Sequence, residues 1–256
     1  MPSERSARPA SNGAAHSFSQ QARWGKIACI ALFLILALIA AQCVRLGLAG
    51  LLLQSAKDEV EAWTPAARKP AMAQVRRAAK YYSDSLEYTS RNPWSLEGLG
   101  AMDLARMRVS TIPREAQAVT RSARTRFRQA LLLRPTSPFL WANLALTKLY
   151  LSEFDEELLT ALRHADELGP WEPTVQQTIV FVGLAAWQDL DPGLRQTLAR
   201  SIERGAKRDT RKMFEIVKSY TRLELVCAIE DYRRIAGSDC ATLAPSPWMG
   251  EAVKKE

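Results

Sequence analysis

The side chains best suited to chemistry in this 256-residue chain are four arginines at helical spacing. Arg114, Arg121, Arg124 and Arg128 are 7, 3 and 4 residues apart, so a helix would carry them on one stripe. Such an arginine stripe is able to hold an anionic glycan, a lipid phosphate headgroup or an acidic partner surface. The other interpretation is a solvated helix face whose arginine stems pack on neighbouring side chains.

The charge of the chain changes sign along its length. Residues 68–134 contain 14 basic and 5 acidic side chains, whereas residues 135–200 contain 4 basic and 9 acidic ones. Of the net charge of +8, about half lies within residues 1–45. Because no recognised nucleic-acid motif accompanies this charge, the pI of about 9.5 does not predict a nucleic-acid partner.

The remaining polar residues do not form a recognisable catalytic or metal-binding motif. The two histidines, His16 and His164, are far apart, and no Cys-x-x-Cys, phosphate-binding glycine loop or nucleophile elbow occurs. Acid–base catalysis requires carboxylates that face each other in a cleft, but the paired acids here are better explained as charges at helix starts. These pairs are Glu156 with Glu157 and Asp189 with Asp191. We therefore predict no catalytic residue, no metal site and no cofactor, and a protein that is not an enzyme.

The four cysteines form two groups. Cys29 and Cys43 lie in or beside a long apolar run and resemble small apolar residues. Cys227 and Cys240 lie near the C-terminus, where an oxidising compartment would allow a disulfide that closes a short loop. In the chain-entropy model such a bond contributes about 3 kcal/mol. The sequence leaves open whether the two are bonded.

An apolar segment near the N-terminus predicts a membrane helix over residues 23–45. Residues 27–41 are all apolar, and with their neighbours they reach about 20 residues, enough to cross a hydrocarbon core of about 30 Å. Basic residues precede the segment and acidic ones follow it, so the positive-inside rule predicts a single-pass membrane protein with a cytoplasmic N-terminus and a C-terminal domain on the opposite side.

Two other interpretations of this segment are weaker. A cleaved signal peptide has an apolar core of about 7–15 residues and a small-x-small site, and this core is at or above that limit. A lipid-modified Cys43 would need a small residue before it, but Gln42 stands there. We predict a disordered cytoplasmic tail over residues 1–22, and over residues 46–69 a juxtamembrane helix and linker that either continues the membrane helix or lies along the surface.

An internal repeat predicts the architecture of the remainder. The segment 128–138 returns 35 positions later as 163–173, with the Arg, the Ala, the final Leu and both prolines matched. A weaker match lies 45 positions earlier, around Pro93. A period of about 35 with proline between helical stretches is typical of helix-turn-helix arrays. We therefore predict an all-α repeat domain over residues 70–243, with roughly three units across 70–205, and an irregular tail over 244–256.

Proline and capping residues place the helices of this array. Thr64-Pro65 and Asp191-Pro192 look like an N-cap followed by proline at the first helical position, and Asn92-Pro93 ends one helix and starts the next. The predicted helices cover 71–89, 94–108, 114–133, 139–150, 154–168, 174–187, 191–204, 211–220 and 223–235.

The best unit resembles a tetratricopeptide repeat. That family has an aromatic residue at its fourth position and a small residue at its eighth, which Trp141 and Ala145 match. Gly100 takes the small position in the earlier unit, whereas Val180 departs from the pattern in the later one. The resemblance implies a scaffold that binds other proteins.

The order of features is also similar to the VpsP-type proteins of bacterial exopolysaccharide clusters. The segments that carry this resemblance are 134–151, 167–176, 184–195 and 219–227. It implies a bacterial inner-membrane protein with a periplasmic repeat domain that serves as an adaptor or scaffold in exopolysaccharide biosynthesis or export, with membrane proteins of a polysaccharide machine as partners. Two alternatives remain: an accessory or catalytic subunit acting on lipid-linked glycan, and a general secretion or assembly adaptor.

Overall fold

The structure is a computed structural model that describes residues 13–63, 70–220 and 227, with backbone alone for 13–23 and 25. The chain divides into two compact units, Met1–Leu48 and Ala49–Glu256. Across the described residues there are helices and no strands, which confirms the predicted all-α fold class. The helices are α1 Gly13–Glu61, α2 Met72–Tyr88, α3 Pro93–Val109, α4 Pro113–Leu133, α5 Pro138–Tyr150, α6 Glu156–Leu168, α7 Pro173–Ala185 and α8 Pro192–Ser219.

Helix α1 is continuous where we predicted three segments. It begins at Gly13, inside the predicted tail of 1–22, and it passes the predicted boundary at residue 45 without a break. Alanines, glutamines and leucines on both sides of the apolar run are good helix formers, so an established helix extends into them. The part Lys26–Glu61 is long and apolar enough to cross a membrane, judged by length and composition.

The N-terminal part of the second unit packs residues from the end of α1, α2 and α3 into a small core. Its buried apolar residues are Ala56, Val75, Ala78, Tyr82, Leu99 and Met102. The hydroxyl of Ser85 donates to the carbonyl of Ala49 at 3.0 Å and lies 3.0 Å from the hydroxyl of Ser95, so these buried polar groups are satisfied. At Gly98 an added Cβ would lie 2.3 Å from the ring of Tyr82, which explains the need for glycine at this close approach.

Three helical hairpins follow, and each begins with a proline. The hairpins are α3 with α4, α5 with α6, and α7 with α8, and Pro93, Pro138 and Pro173 are the first residues of α3, α5 and α7. Proline is favoured there because its missing N–H has no intrahelical acceptor to reach. The predicted starts of the repeat units are therefore confirmed, at the spacing that the sequence repeat indicates.

The position that is small in tetratricopeptide repeats lies at a helix–helix contact in each hairpin. An added Cβ at Gly100 would lie 2.6 Å from the ring of Phe127, and Phe127 itself is fully buried. The equivalent Ala145 and Val180 are also fully buried. The main core extends from these contacts through all three hairpins. Val180 therefore departs from the family pattern in size while it keeps the same buried place.

Helix α8 is divided by a kink that lies between the two helices predicted at 191–204 and 211–220. It runs across the predicted gap between 204 and 211, and its one non-helical residue is Asp209, with φ −144° and ψ 78°. The carboxylate of Asp209 accepts from the backbone N–H of Lys212 at 3.1 Å, so a local cap replaces the missing backbone bond. The predicted start at 64–65, the helix at 223–235 and the tail at 244–256 lie outside the described residues.

Candidate binding groove

A groove of about 480 Å³ opens between the first helices of the hairpins and the last part of α8. Its lining residues come from α3, α5, α7 and α8 and are Arg108, Leu146, Tyr150, Thr174, Gln177, Thr178, Phe181 and Ile216. On α7 they are spaced 3, 1 and 3 residues apart, so they share one face of that helix. The opposite face of α7 carries the buried residues Val175, Ile179 and Val182, which fix the helix in the core.

The groove combines aromatic and hydrogen-bonding side chains. The rings of Phe181 and Tyr220 meet edge to face with centroids 5.5 Å apart. Burial, together with the nearby Tyr150, raises the pKa of Tyr220 to about 12, so its phenol stays neutral at physiological pH. The hydroxyl of Thr178 donates to the carbonyl of Thr174 at 2.8 Å and keeps its acceptor lone pairs available.

Among the described residues one cation lines this groove, and no described acidic side chain pairs with it. Arg108 is exposed at the end of α3, and among the described lining residues none is acidic. Other arginines of the hairpins are paired: Arg126 with Asp103, Arg134 with Glu97, and Arg204 with Asp166. In the described part of the chain no carboxylate pairs with Arg108. The α3 end of the groove therefore carries one arginine and no acidic residue among the described lining residues.

The predicted arginine stripe does lie on α4, but its members differ. Arg124 pairs with Glu153, and Arg128 pairs with Glu157 through an Nε–Oε1 contact of 2.7 Å. Arg121 donates to the amide oxygen of Gln117 at 3.0 Å, and Arg114 is exposed near the start of the helix. Two of the four arginines are thus paired with acidic residues of the same chain. Arg114 and Arg121 remain as the candidate anion-binding pair.

Next to the paired arginines lies a buried lysine that the sequence analysis did not single out. The side chain of Lys148 is 1% exposed, and its Nζ contacts Glu153 at 3.2 Å, Asp155 at 2.8 Å and Glu157 at 2.7 Å. Burial lowers the pKa of Lys148, but the hydrogen bonds to these three carboxylates outweigh burial and hold its pKa above the ordinary value. The ammonium is therefore charged and fully compensated, which indicates a structural role.

The other polar residues considered in the sequence have local roles. Glu156 and Glu157 lie in the first turn of α6, and Asp191 caps α8 by accepting from the N–H of Leu194 at 2.9 Å. His164 lies with its ring centroid 4.7 Å from that of Trp141, and its Nδ1 is 3.3 Å from Glu167. Among the described residues no group of three or more His, Cys, Asp or Glu side chains is placed to hold a metal ion.

Cysteines of the described residues fall into two environments. Cys29 and Cys43 are exposed thiols on α1, and Cys227 is 5% exposed. Cys240 lies outside the described residues, so the disulfide between Cys227 and Cys240 stays a prediction.

Sequence reasoning missed both the groove and Lys148, although one signal was present. Lys148 lies in a mostly apolar stretch, and four acidic residues follow within nine positions, which is the pattern of a buried cation with its counter-charges. For the groove no comparable signal exists, because its lining comes from four helices that are distant in sequence.

Comparisons with known proteins identify no family for the chain. No protein-family model matches it, and no curated protein matches it. Among solved structures the chain is similar to a thermophilic TPR protein of Thermus thermophilus, with 14% identity and a TM-score of 0.48. The match covers 79% of this chain and 99% of that one. The three helical hairpins described above make the chain an all-helical repeat protein.

Proposed function

We propose that this protein is a membrane-anchored adaptor that binds a short acidic segment of a partner protein in the groove between α3, α5, α7 and α8. The observation that carries the proposal is the unmatched Arg108 in a groove that also offers aromatic surface and neutral hydrogen-bonding groups. A carboxylate of the partner would supply the counter-charge that the described residues of the chain do not supply there.

The dimensions of the groove favour a peptide over a folded domain. A space of about 480 Å³ holds a few side chains and lies within the usual range for small binding sites. Thr174, Gln177 and Thr178 present a line of hydroxyl and amide groups that suits the backbone of an extended segment. Tyr150 and Phe181 supply apolar contact area at low conformational cost.

Membrane anchoring by α1 is the second part of the proposal. The helix has the length and composition of a membrane span, and basic residues before it favour a cytoplasmic N-terminus and a periplasmic repeat domain. Confinement near the bilayer raises the effective concentration of the domain for neighbouring membrane proteins. Reporter fusions should show a cytoplasmic N-terminus and a periplasmic C-terminus, and the reverse orientation would contradict this part.

The third part is the biological setting, which rests on the sequence resemblance to VpsP-type proteins. We propose that the partners belong to a machine that makes or exports a bacterial exopolysaccharide. Deletion of the gene should lower the amount of secreted polymer, and the intact gene should restore it. Normal polymer in the deletion strain would favour a general assembly or secretion adaptor.

Site-specific photo-cross-linking tests the groove directly. A photoreactive amino acid at Gln177, inside the groove, should capture a defined partner protein in intact cells, and the change Arg108→Glu should remove that product. The matched control is Arg76→Glu, since Arg76 is an exposed arginine on α2 outside the groove. Capture that persists in Arg108→Glu, or a product that contains glycan or lipid but no protein, would contradict an acidic peptide as the ligand.

A further inference from the structure

Outside the binding groove, helix α4 presents an exposed leucine between two depressions. Leu132 is 84% exposed, which is the highest value for any large apolar side chain in the described part of the chain. One depression, of about 450 Å³, lies on the side of Leu131, Trp141 and Leu144, and the other, of about 260 Å³, lies on the side of Leu96 and Leu133. Gln129 and Leu132 line both. We call this surface the α4 patch.

A surface that contains both a protruding side chain and the cavities to receive one is self-complementary. Two-fold symmetric interfaces require this property, because each copy must offer to the other the same features that it receives. Thr125, Arg128, Gln129 and Leu132 are spaced 3, 1 and 3 residues apart and follow one face of α4. Leu132 lies two turns from Thr125, so a two-fold axis near Arg128 and Gln129 would bring Leu132 next to Thr125 of a second copy.

The charges of the patch also favour a second copy of the chain. Two molecules that each carry a net charge of +8 repel each other unless the meeting faces are locally neutral. In the larger depression, which receives Leu132 of the second copy, the charge of Arg128 is cancelled by Glu157. The exposed Arg91 lines the smaller depression and lies outside this contact.

We propose that the α4 patch is a homodimer interface in which two α4 helices pack antiparallel and each Leu132 fills the larger depression of the other copy. The 21 residues of α4 span about 31 Å at 1.5 Å per residue, long enough for the core of a standard interface of about 800 Å² per partner. Burial of Leu132 and of the exposed edge of the Trp141 ring supplies the apolar contact that such a core needs. This proposal is independent of the peptide groove.

Cysteine cross-linking of the full-length protein in detergent tests the symmetry. In a Cys29→Ser, Cys43→Ser background, Gln129→Cys should form a disulfide between two copies under mild oxidation, since the axis brings the two positions 129 together. Gln117→Cys is the matched control, because Gln117 is an exposed glutamine of the same helix three turns away from the axis. Equal cross-linking at both positions, or none at Gln129→Cys, would overturn the proposed packing.

Light scattering coupled to gel filtration tests the contribution of Leu132. The wild type should be a dimer at micromolar concentration, and Leu132→Glu should raise the dimer dissociation constant at least ten-fold while the helical circular dichroism stays unchanged. The control is Leu168→Glu, an exposed leucine at the end of α6 that does not line either depression. A monomeric wild type, or a Leu132→Glu dimer as tight as the wild type, would refute the interface.

Discussion

Arg163 in α6 lies 35 residues after Arg128 in α4, and both arginines reach an acidic side chain at the start of the next hairpin's second helix. Arg128 pairs with Glu157 in the first turn of α6, and Arg163 pairs with Asp191, the N-cap of α8, at 2.6 Å. The repeated arginine therefore links successive hairpins. Since these partners are 33–46% exposed, each pair contributes about 1 kcal/mol or less.

A methyl group at Gly100 should destabilise the array. Gly100→Ala would place its Cβ 2.6 Å from the ring of Phe127, which is fully buried in the main core. We expect the free energy of unfolding to fall by about 1–3 kcal/mol, measured by urea denaturation. Gly50→Ala is the control, because nothing lies within 4 Å of that Cβ and alanine is the better helix former. Equal losses for both variants would contradict the tight contact.

Removal of the buried ammonium should also destabilise the α5–α6 hairpin. Lys148→Met leaves Glu153, Asp155 and Glu157 close together without their shared cation. Because these carboxylates are partly exposed and two of them keep an arginine, we expect a loss of about 1–3 kcal/mol in urea denaturation. Lys80→Met, which removes an exposed lysine paired with Asp84, should leave the midpoint unchanged. A neutral Lys148→Met would show that the cluster is not coupled to folding.

The same cluster predicts how stability depends on pH. A hydrogen bond from Arg128, followed by one from Lys148, lowers the pKa of Glu157 to about 2, against an ordinary value of 4.5. A depressed folded-state pKa contributes stability above pH 4.5 and loses it as the pH falls toward 2. Urea midpoints measured from pH 7 to pH 3 should therefore fall less steeply for Glu157→Gln than for the wild type. Parallel curves would exclude Glu157 as a contributor.

The four arginines of the stripe should differ in their effects: Arg124 and Arg128 should stabilise the fold, whereas Arg114 and Arg121 should bind anions at the surface. Arg124→Ser with Arg128→Ser breaks two links to the α5–α6 hairpin and should lower the melting temperature by a few degrees, for a loss of about 1–2 kcal/mol. Arg114→Ser with Arg121→Ser should leave the melting temperature unchanged and weaken binding to a polyanion such as heparin. If the second double variant binds heparin as well as the wild type, the stripe is not an anion site.

A count of reactive thiols tests the predicted disulfide between Cys227 and Cys240. In denatured, unreduced protein we expect two reactive thiols, those of Cys29 and Cys43, and four after reduction. Mass spectrometry of peptides from unreduced protein should contain the Cys227–Cys240 cross-link. Four reactive thiols before reduction would show that the loop is not closed.

The helices of the repeat domain could be predicted closely because their ends depend on local chemistry. Pro93, Pro138 and Pro173 start helices wherever they follow a capping or turn residue, and Asp191 caps α8 with its own side chain. Such signals act within three or four residues, so they are readable in the sequence. The gap predicted between 204 and 211 contains the break at Asp209, although the sequence did not identify Asp209 as the residue that caps the second part of α8.

The candidate site could not be predicted, because helical spacing identifies a face and not what covers it. The arginines of α4 share a stripe as expected. Two of them, however, pair with Glu153 and Glu157, each of which lies 29 residues further along the chain. Arg108 was one basic residue among many in the sequence. Its distinction from Arg124 depends on tertiary packing, which supplies a counter-charge to one and not to the other.

The division of buried residues into a small core and a main core has a mechanical consequence. Helix α3 contributes Leu99 and Met102 to the small core and Leu104 to the main core, so it is shared by both. A displacement of α3 would therefore disturb the packing of both cores at once, since the same helix holds side chains of each.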